Sequence, residues 1–368
     1  MKLLILSITA GQGHHQTGLA VSTYFEQQGH QVTQLDCYEY LSPAMKDMVS
    51  HGYLMSTKYS PKLYGKIYRL AEKTDNQDTY STVFQLTNSL FHNKMAKFLE
   101  ENAPDAVVCT HVFAAILMSY LAEKGYLYPT IGIITDFKVH PYWESTRLDY
   151  YVVPNEYLIP SLLKKGIKKE QILPIGIPIF EKFNQKTDKK TARKELHLQQ
   201  MPTILVMSGS MGFGNVYKII KSIDTLPYEL QLVTVCGNNK KLKKKIDKND
   251  WKHPLVNFGF VSNVDKLMDA ADYIITKPGG LTVSEALTKE LPMLISKPIP
   301  GQEERNLEFL LNFGCCMRIS KTSPADEIIA QLMMNSKKTE LMLENIRLLK
   351  KPQSTKNLYE HIINITKR

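Results

Sequence analysis

The segment from Lys277 to Leu287 combines two glycines, a helix start and a carboxylate one turn further on, which suits a diphosphate site. Asp272 to Thr276 is typical of a short buried strand leading into it. Gly279 and Gly280 let the backbone approach a ligand without a Cβ in the way. The first N–H groups of the following helix lack internal partners and would bind the diphosphate. Glu285 could then accept from both hydroxyls of a ribose, although an ordinary strand-to-helix turn with a solvated Glu285 fits the same pattern.

A second glycine-rich loop, Thr9 to Gly18, follows the first predicted strand. It places His14 at a flexible turn before a helix, where an imidazole can take a proton from a hydroxyl near neutral pH. The neighbouring His15 is interpreted as structural. A dinucleotide fingerprint would have a third glycine at Gln16, and Asp36 keeps a nicotinamide site open as an alternative.

A third cluster, Thr135 to Trp143, also follows a predicted strand. Asp136 stands at the carboxyl end of that strand, where α/β folds keep their chemistry, and could orient His14 or act as the base itself. Tyr142 and Trp143 could form an amphipathic rim for a lipid-like acceptor. A turn-capping role for Asp136 and a packed core position for Trp143 are the structural alternatives.

Three more segments of the second half resemble parts of a nucleotide-sugar pocket when they are taken together. Ser208 to Gly214 is a strand-to-helix loop rich enough in glycine to admit phosphate. Phe258 to Ser262 could supply backbone groups and an aromatic wall to a base. Pro300 to Asn306 offers amides and carboxylates suited to sugar hydroxyls.

Predicted strands and helices alternate twice along the chain, which indicates two doubly wound α/β domains facing a central cleft. A length of 368 residues also suits two domains. We predict an N-terminal domain over 1–176, a linker over 177–200, a C-terminal domain over 201–338 and a helical segment over 339–368, able to pack back on the first domain. The predicted buried strands are Lys2 to Ile8, Pro104 to Thr110, Thr130 to Thr135, Asp149 to Val153, Thr203 to Met207, Leu230 to Cys236, Tyr273 to Thr276 and Met293 to Ser296.

Composition is that of a soluble globular protein, with 43% hydrophobic and 22% charged residues. No apolar run reaches the roughly 18 residues of a membrane-spanning helix. Leu3 to Ala10 lacks the cleavage site of a signal peptide and fits a first strand better. The 5 cysteines are odd in number and lack Cys-x-x-Cys spacing, which favours a reducing cytoplasm over a zinc or disulfide framework.

The net charge of +10 favours an anionic partner without choosing among nucleic acid, phospholipid and nucleotide. The lysine run 240–248 is interpreted as a solvated helix face. Tyrosines and lysines interleave over 45–69, as in an interfacial helix at an anionic bilayer, or in an amphipathic helix packed on its own domain.

Five motifs together resemble the GT-B glycosyltransferases of the group that contains monogalactosyldiacylglycerol synthases and processive diacylglycerol glucosyltransferases; the resemblance covers nearly the whole chain. The lipid II-forming N-acetylglucosaminyltransferase is a more distant member. The motifs lie at Gly11 to His14, Thr135 to Trp143, Gly259 to Val261, Lys277 to Ala286, and Gly301 to Glu303 with Asn306. Gln12 departs from the group, because the plant enzymes carry a third glycine there.

The resemblance implies a role for each matched residue. His14 and Asp136 would be the catalytic residues, with Gly13, His140 and Trp143 on the acceptor side. The residues implied for the donor are Ser208, Gly209, Gly212, Gly279, Gly280, Leu281 and Thr282 at the diphosphate, Phe260 and Val261 at the uracil, Glu285 at the ribose, and Gln302, Glu303 and Asn306 at the sugar. The membrane contacts expected in the basic stretch are Lys62, Tyr64, Lys66 and Arg69.

The implied activity is inverting transfer of a hexose from a UDP-sugar, with glucose favoured over galactose, to diacylglycerol or glycosyl-diacylglycerol. No metal or other cofactor is expected, and the chain has no Asp-x-Asp sequence to hold one. No nucleic-acid partner is expected, and the enzyme would be cytoplasmic, peripheral on the inner face of the cell membrane. The alternatives are UDP-GlcNAc transfer to an undecaprenyl-linked peptidoglycan precursor, a UDP-sugar epimerase, and a non-catalytic UDP-sugar sensor at the membrane.

Overall fold

Two parallel sheets organise the chain, each in a unit of its own. The computed structural model describes residues 1–8, 12–41, 92–207, 209 and 215–367. The first unit comprises Met1–Glu181, Ile299–Gln302 and Gln353–Arg368, and the second comprises Lys182–Pro298 and Glu303–Pro352. The chain therefore passes between the units more than once.

The sheet of the first unit has the strand order β2-β1-β3-β4-β5-β6 in the described residues, and all its pairs are parallel. Its inner strands are apolar runs buried on both faces, as parallel sheets covered by helices require. The strands are β1 Lys2–Ser7, β2 Gln31–Asp36, β3 Ala106–Cys109, β4 Thr130–Ile133, β5 Tyr150–Val152 and β6 Ile172–Leu173. The helices are α1 Gln12–Gln27, α2 Cys37–Leu41, α3 (described over 92–102), α4 Val112–Glu123 and α5 Ile159–Leu163, with short 3₁₀ turns at Pro141–Ser145, Glu156–Leu158 and Lys169–Gln171.

The sheet of the second unit is also parallel, with the order β12-β11-β10-β7-β8-β9 in the part of the chain described. Its strands are β7 Thr203–Met207, β8 Gln231–Val235, β9 Leu255–Phe258, β10 Tyr273–Thr276, β11 Met293–Ser296 and β12 Cys316–Ile319. Its helices are α6 Lys189–Glu195, α7 Val216–Ile223, α8 Lys240–Asp247, α9 Val264–Ala270, α10 Gly280–Thr288, α11 Gln302–Asn312, α12 Ala325–Met334 and α13 Ser336–Leu349. The first residue of α11, Gln302, belongs to the first unit.

Each strand order contains a point where the winding direction reverses. In the first sheet β1 lies between β2 and β3, and in the second sheet β7 lies between β8 and β10. Loops leave opposite faces at such a switch point and open a crevice at the carboxyl ends of the strands, where ligands bind in open α/β sheets. The loops after β1, β3, β7 and β10 are therefore the ones that the fold selects for chemistry.

The predicted linker 177–200 is largely structured and belongs mostly to the second unit. The chain leaves the first unit after Glu181, and α6 follows within the range predicted as linker. Arg193 of α6 is buried and donates from Nη2 to Asp272 at 2.6 Å. The segment 339–368 also divides, because α13 belongs to the second unit whereas helix α14, Ser354–Thr366, belongs to the first.

Helix α14 completes the core of the first unit. Leu358 and Ile362 are fully buried in the same cluster as Phe25 of α1. The Tyr359 ring meets the Phe25 ring edge-on, with 5.0 Å between the centroids. At the start of the helix, the buried Ser354 hydroxyl donates to the carbonyl of Ile177 at 2.9 Å. The last helix is thus bonded to the middle of the chain and packed against its beginning.

Leu358→Ala should lower the free energy of unfolding by about 2–5 kcal/mol, because it removes a fully buried side chain and leaves a cavity. Urea unfolding would measure the loss. The matched control is Leu127→Ala in the same unit, since Leu127 is 80% exposed and the same substitution there should change stability by about 0.5 kcal/mol or less. Equal effects in both variants would contradict a core role for α14.

Candidate functional site

His14 lies at the switch point of the first sheet, in the first turn of α1. Its Nδ1 atom lies 2.7 Å from the carbonyl oxygen of Thr110, which directly follows β3. The same Nδ1 lies 3.1 Å from the hydroxyl of Thr135, two residues beyond β4. The ends of three neighbouring strands thus position one imidazole.

The contact with Thr110 fixes the tautomer of His14. A carbonyl oxygen can only accept a hydrogen bond, so the neutral imidazole carries its proton on Nδ1 and keeps the lone pair on Nε2. Burial lowers the pKa of His14 below its usual 6.5, while the Asp136 carboxylate and the bond to Thr110 oppose that shift. A neutral imidazole with a free lone pair is what a general base needs.

His111 is a site residue that the sequence analysis missed. It caps α4, with its Nδ1 accepting from the backbone N–H of Phe113, and its ring meets that of His14 at 4.6 Å between centroids. Burial holds the pKa of His111 well below its usual value, and the nearby His14 and His140 lower it further. Its position just after the buried strand β3 was the available signal.

His140 takes a capping role beside this pair. Its Nδ1 accepts from the backbone N–H of Tyr142 at the start of the Pro141–Ser145 turn. Asp136 accepts a hydrogen bond from the side-chain amide of Gln302, a residue that belongs to the first unit. The structure therefore brings His14, Asp136, His140 and Gln302 into one unit.

Trp143 does not form the rim expected from the sequence. It is only 4% exposed, and its ring fills the space above Gly132 of β4, where an added Cβ would come within 2.8 Å of it. Its ring also meets Tyr151 edge-on at 6.2 Å. A large apolar ring gains more from this closed packing than from a wet edge, so Trp143 is placed as a core residue. Gly13 is in α1 and has no neighbour within 4 Å of an added Cβ, so packing does not demand glycine there.

The loop after β10 leads directly from the strand into helix α10. Gly279 caps α10 with φ −70° and ψ 134°, and a Cβ added to it would meet no atom within 4 Å. Within the part of the chain that the structure describes, neither the backbone angles nor the packing require glycine at this position. The N–H groups of Gly280, Leu281 and Thr282 begin the helix and lack acceptors within it.

Asn306 of α11 supports that loop from behind. Its side chain is fully buried, and its Nδ2 donates to the carbonyl of Pro278 at 3.0 Å. Asn306 was predicted at the donor sugar; this contact shows in addition that it supports the loop backbone. Glu303 is half-buried in the first turn of the same helix.

Glu285 is buried one turn inside α10, with 8% of its surface exposed. Burial raises its pKa to about 8; Lys182 lowers it and Asp265 raises it further. The carboxyl group is therefore mostly protonated at neutral pH until a partner stabilises its charge. Phe260, beyond β9, is 68% exposed and Val261 is half-buried, so an aromatic face is open to a base.

Several of the predicted site residues lie outside the described residues. Gly209 is described, with φ +70° in the left-handed region that favours glycine. Ser208 and Gly212 in the same loop lie outside the described residues, as do Lys62, Tyr64, Lys66 and Arg69. Within 1–8, 12–41, 92–207, 209 and 215–367, no helix has the length and apolar character to cross a bilayer.

Comparison with known proteins covers both units. The pattern of the monogalactosyldiacylglycerol (MGDG) synthase family matches residues 14–179, and that of the glycosyltransferase family 28 C-terminal domain matches residues 203–358. A processive diacylglycerol beta-glucosyltransferase of Bacillus cereus (strain AH187) is 30% identical over 99% of this chain and 92% of its own length. The Bacillus pumilus (strain SAFR-032) protein of the same name is 28% identical over 98% and 94%.

Among solved structures, MurG of Acinetobacter baumannii has a similar fold. Its TM-score is 0.67 with 18% identity, and the match covers 99% of both chains. At that identity the likeness concerns the arrangement of strands and helices. It extends over both units.

Proposed function

We propose, from the premise that the chain belongs to the processive diacylglycerol glucosyltransferase family and is a GT-B glycosyltransferase, that it transfers a hexose from a UDP-sugar to diacylglycerol or glycosyl-diacylglycerol. The relatives named beta-glucosyltransferases support UDP-glucose over UDP-galactose as the donor. A β-linked product from an α-linked UDP-sugar requires inversion at the anomeric carbon. The observation that carries the proposal is the His14 imidazole, held neutral with its Nε2 lone pair available at a switch point.

The proposed reaction is a single displacement. Nε2 of His14 takes the proton of the acceptor hydroxyl while its oxygen forms a bond to the anomeric carbon. The bond from that carbon to the β-phosphate oxygen breaks, and UDP leaves with the bonding electron pair. Asp136 raises the pKa of His14, so its carboxylate stabilises the imidazolium that the proton transfer creates.

The donor half of the proposal rests on the second unit. The N–H groups at the start of α10 would stabilise the charge that develops on the diphosphate, with Lys277 next to them. We propose that Glu285 accepts from the ribose hydroxyls, Phe260 and Val261 contact the uracil, and Gln302 and Glu303 contact the sugar. These dipoles and N–H groups do the work that a bridging metal does elsewhere, so no metal is needed.

The acceptor determines where the enzyme works. Diacylglycerol is held in a bilayer, so we propose that the protein acts as a peripheral enzyme at the inner face of the cell membrane. The basic, tyrosine-rich stretch 45–69 would contact anionic lipid, in support of this location.

The purified protein, incubated with diacylglycerol vesicles and a panel of UDP-sugars, should form a hexosyl-diacylglycerol fastest from UDP-glucose. Mass spectrometry of the lipid fraction identifies the product and the number of sugars added, and the anomeric coupling constant in proton NMR reports inversion. The rate should persist in EDTA, as expected for a reaction without a metal. Transfer only to an undecaprenyl-linked precursor, or release of an altered free sugar without lipid, would overturn the proposal.

A further inference from the structure

Lys182 lies at the start of the second unit, in the short 3₁₀ turn Glu181–Phe183. The sequence analysis placed it in a linker and gave it no role. Its ammonium group donates to the carbonyl oxygen of Ser262, the residue that directly follows Val261. Its Nζ also lies 3.5 Å from Oδ1 of Asp265, in the first turn of α9. Lys182 thus ties the turn at the start of the unit to the loop after β9.

The positive charge of Lys182 also lowers the pKa of Glu285. Lys182 is 39% exposed on its side chain and Asp265 is 15% exposed, whereas Glu285 is almost closed off from solvent. Among the described residues, Lys182 and Asp265 act on the charge of Glu285 with opposite signs. The positive charge of Lys182 lowers the free energy of the ionised Glu285 side chain, and the negative charge of Asp265 raises it.

We propose that Lys182 is a positioning residue of the nucleotide-sugar site: it holds the backbone that follows Phe260 and Val261 and, paired with Asp265, brings a positive charge to this part of the unit. The inference rests on the proposed function, since it assumes that a uridine nucleotide occupies this unit. Its physical reason is that a ribose diol donates two hydrogen bonds, which a carboxylate accepts better than a carboxylic acid. A nearby cation makes that ionised state easier to reach.

The role proposed for Lys182 predicts a specific pH dependence of the affinity for UDP. Glu285 titrates near pH 8 in the free protein, so binding a ligand that prefers its ionised form releases a proton below that pH. The affinity for UDP should therefore rise by roughly eightfold from pH 7 to pH 8.5, a range in which the uracil N3–H stays protonated, since one pKa unit corresponds to a factor of about ten. The diphosphate itself is fully ionised over most of this range, because such groups titrate near pH 6.

The experiment is calorimetric titration of UDP into the full chain at pH values from about 7 to about 8.5, for the wild type, Lys182→Met and Lys182→Arg. Lys182→Met should weaken binding at pH 7 by about three- to tenfold and move the rise in affinity to higher pH, by up to one unit. Lys182→Arg should restore both the affinity and the profile. Lys190→Met, at an exposed lysine of the neighbouring helix α6, should leave both unchanged. Thermal unfolding of each variant checks that the fold is kept.

A second probe separates the ribose from the phosphates. UDP should bind the wild type more tightly than 2′-deoxy-UDP, and Lys182→Met should narrow that preference while retaining the phosphate-dependent part of binding. Lys182→Met with the wild-type affinity, pH profile and ribose preference would overturn the inference and leave the proposed function standing. Failure of the wild type to bind UDP at any of these pH values would instead overturn the proposed function on which the inference rests.

Discussion

His14→Ala should lower kcat by about 10²–10⁴-fold at saturating UDP-sugar and lipid, because it removes the group that takes the proton of the acceptor hydroxyl. His14 is the group held by Thr110 with its Nε2 lone pair available, whereas Nδ1 of the nearby His111 and His140 accepts from backbone N–H groups. Initial rates of glycolipid formation measure the loss.

Two further variants test whether His14 is the catalytic base. His15→Ala, at the next residue, should change kcat by no more than a few-fold, because His15 contacts Gln34. Asp136→Asn should retain more activity than His14→Ala. A larger loss in Asp136→Asn than in His14→Ala would make Asp136 the base.

The pH profile of kcat tests the role of His14 independently of the loss of activity. His14 must be neutral to act, and its pKa is lowered, so the acid limb of the profile should lie below pH 6.5 and full activity should persist at neutral pH. The Asp136 carboxylate raises the pKa of His14, so Asp136→Asn should move the acid limb to still lower pH. An acid limb that stays in place would contradict the proximity on which the mechanism depends.

Lys289→Met should destabilise the second unit by about 3–5 kcal/mol, the loss expected when a buried ion pair is broken on one side. Nζ of Lys289 lies 2.8 Å from Oδ2 of Asp269, and the two side chains are 1% and 2% exposed. Without the lysine, the Asp269 carboxylate keeps one backbone hydrogen bond, from Thr187, and stays buried with its charge uncompensated. Urea unfolding followed by fluorescence reports both units, since Trp143 lies in the first and Trp251 in the second.

A double substitution separates loss of the pair from loss of packing. Lys289→Met with Asp269→Leu should recover much of the stability, because an apolar pair of similar volume removes the unpaired charge. The matched single control is Lys189→Met, which breaks the pair with Asp272 where the lysine is 43% exposed; it should change stability by about 1 kcal/mol or less. A double variant as unstable as Lys289→Met would contradict an electrostatic origin.

The central strands could be predicted from sequence because their residues are almost all apolar and buried. The strands predicted at Thr203 to Met207, Tyr273 to Thr276 and Met293 to Ser296 are confirmed with the same bounds. Edge strands were harder to predict from sequence, since one side of each lacks a neighbouring strand and their residues are only partly buried. Both β9 and β12 lie at sheet edges and were not predicted.

The glycine-rich segments Thr9 to Gly18 and Lys277 to Leu287 could be recognised because a strand, a turn and a helix start lie close together in sequence. Contacts between distant residues leave no such signal. His111 reaches His14 because β1 and β3 are neighbours in the sheet, and Lys182 reaches Ser262 across about 80 residues of chain. The burial of Trp143 depends in the same way on Gly132, whose missing side chain leaves room for the indole ring.

Helix α14 imposes an order on how the protein is made. The ribosome has synthesised all of the second unit before residues 354–366 exist, so the second unit can fold first, although domains generally fold from the N-terminus onward. The first unit, whose synthesis starts earlier, must wait with Phe25 and its neighbours uncovered until α14 arrives. A frameshift or premature stop codon shortly before residue 354 would therefore leave a folded second unit attached to an unfinished first unit.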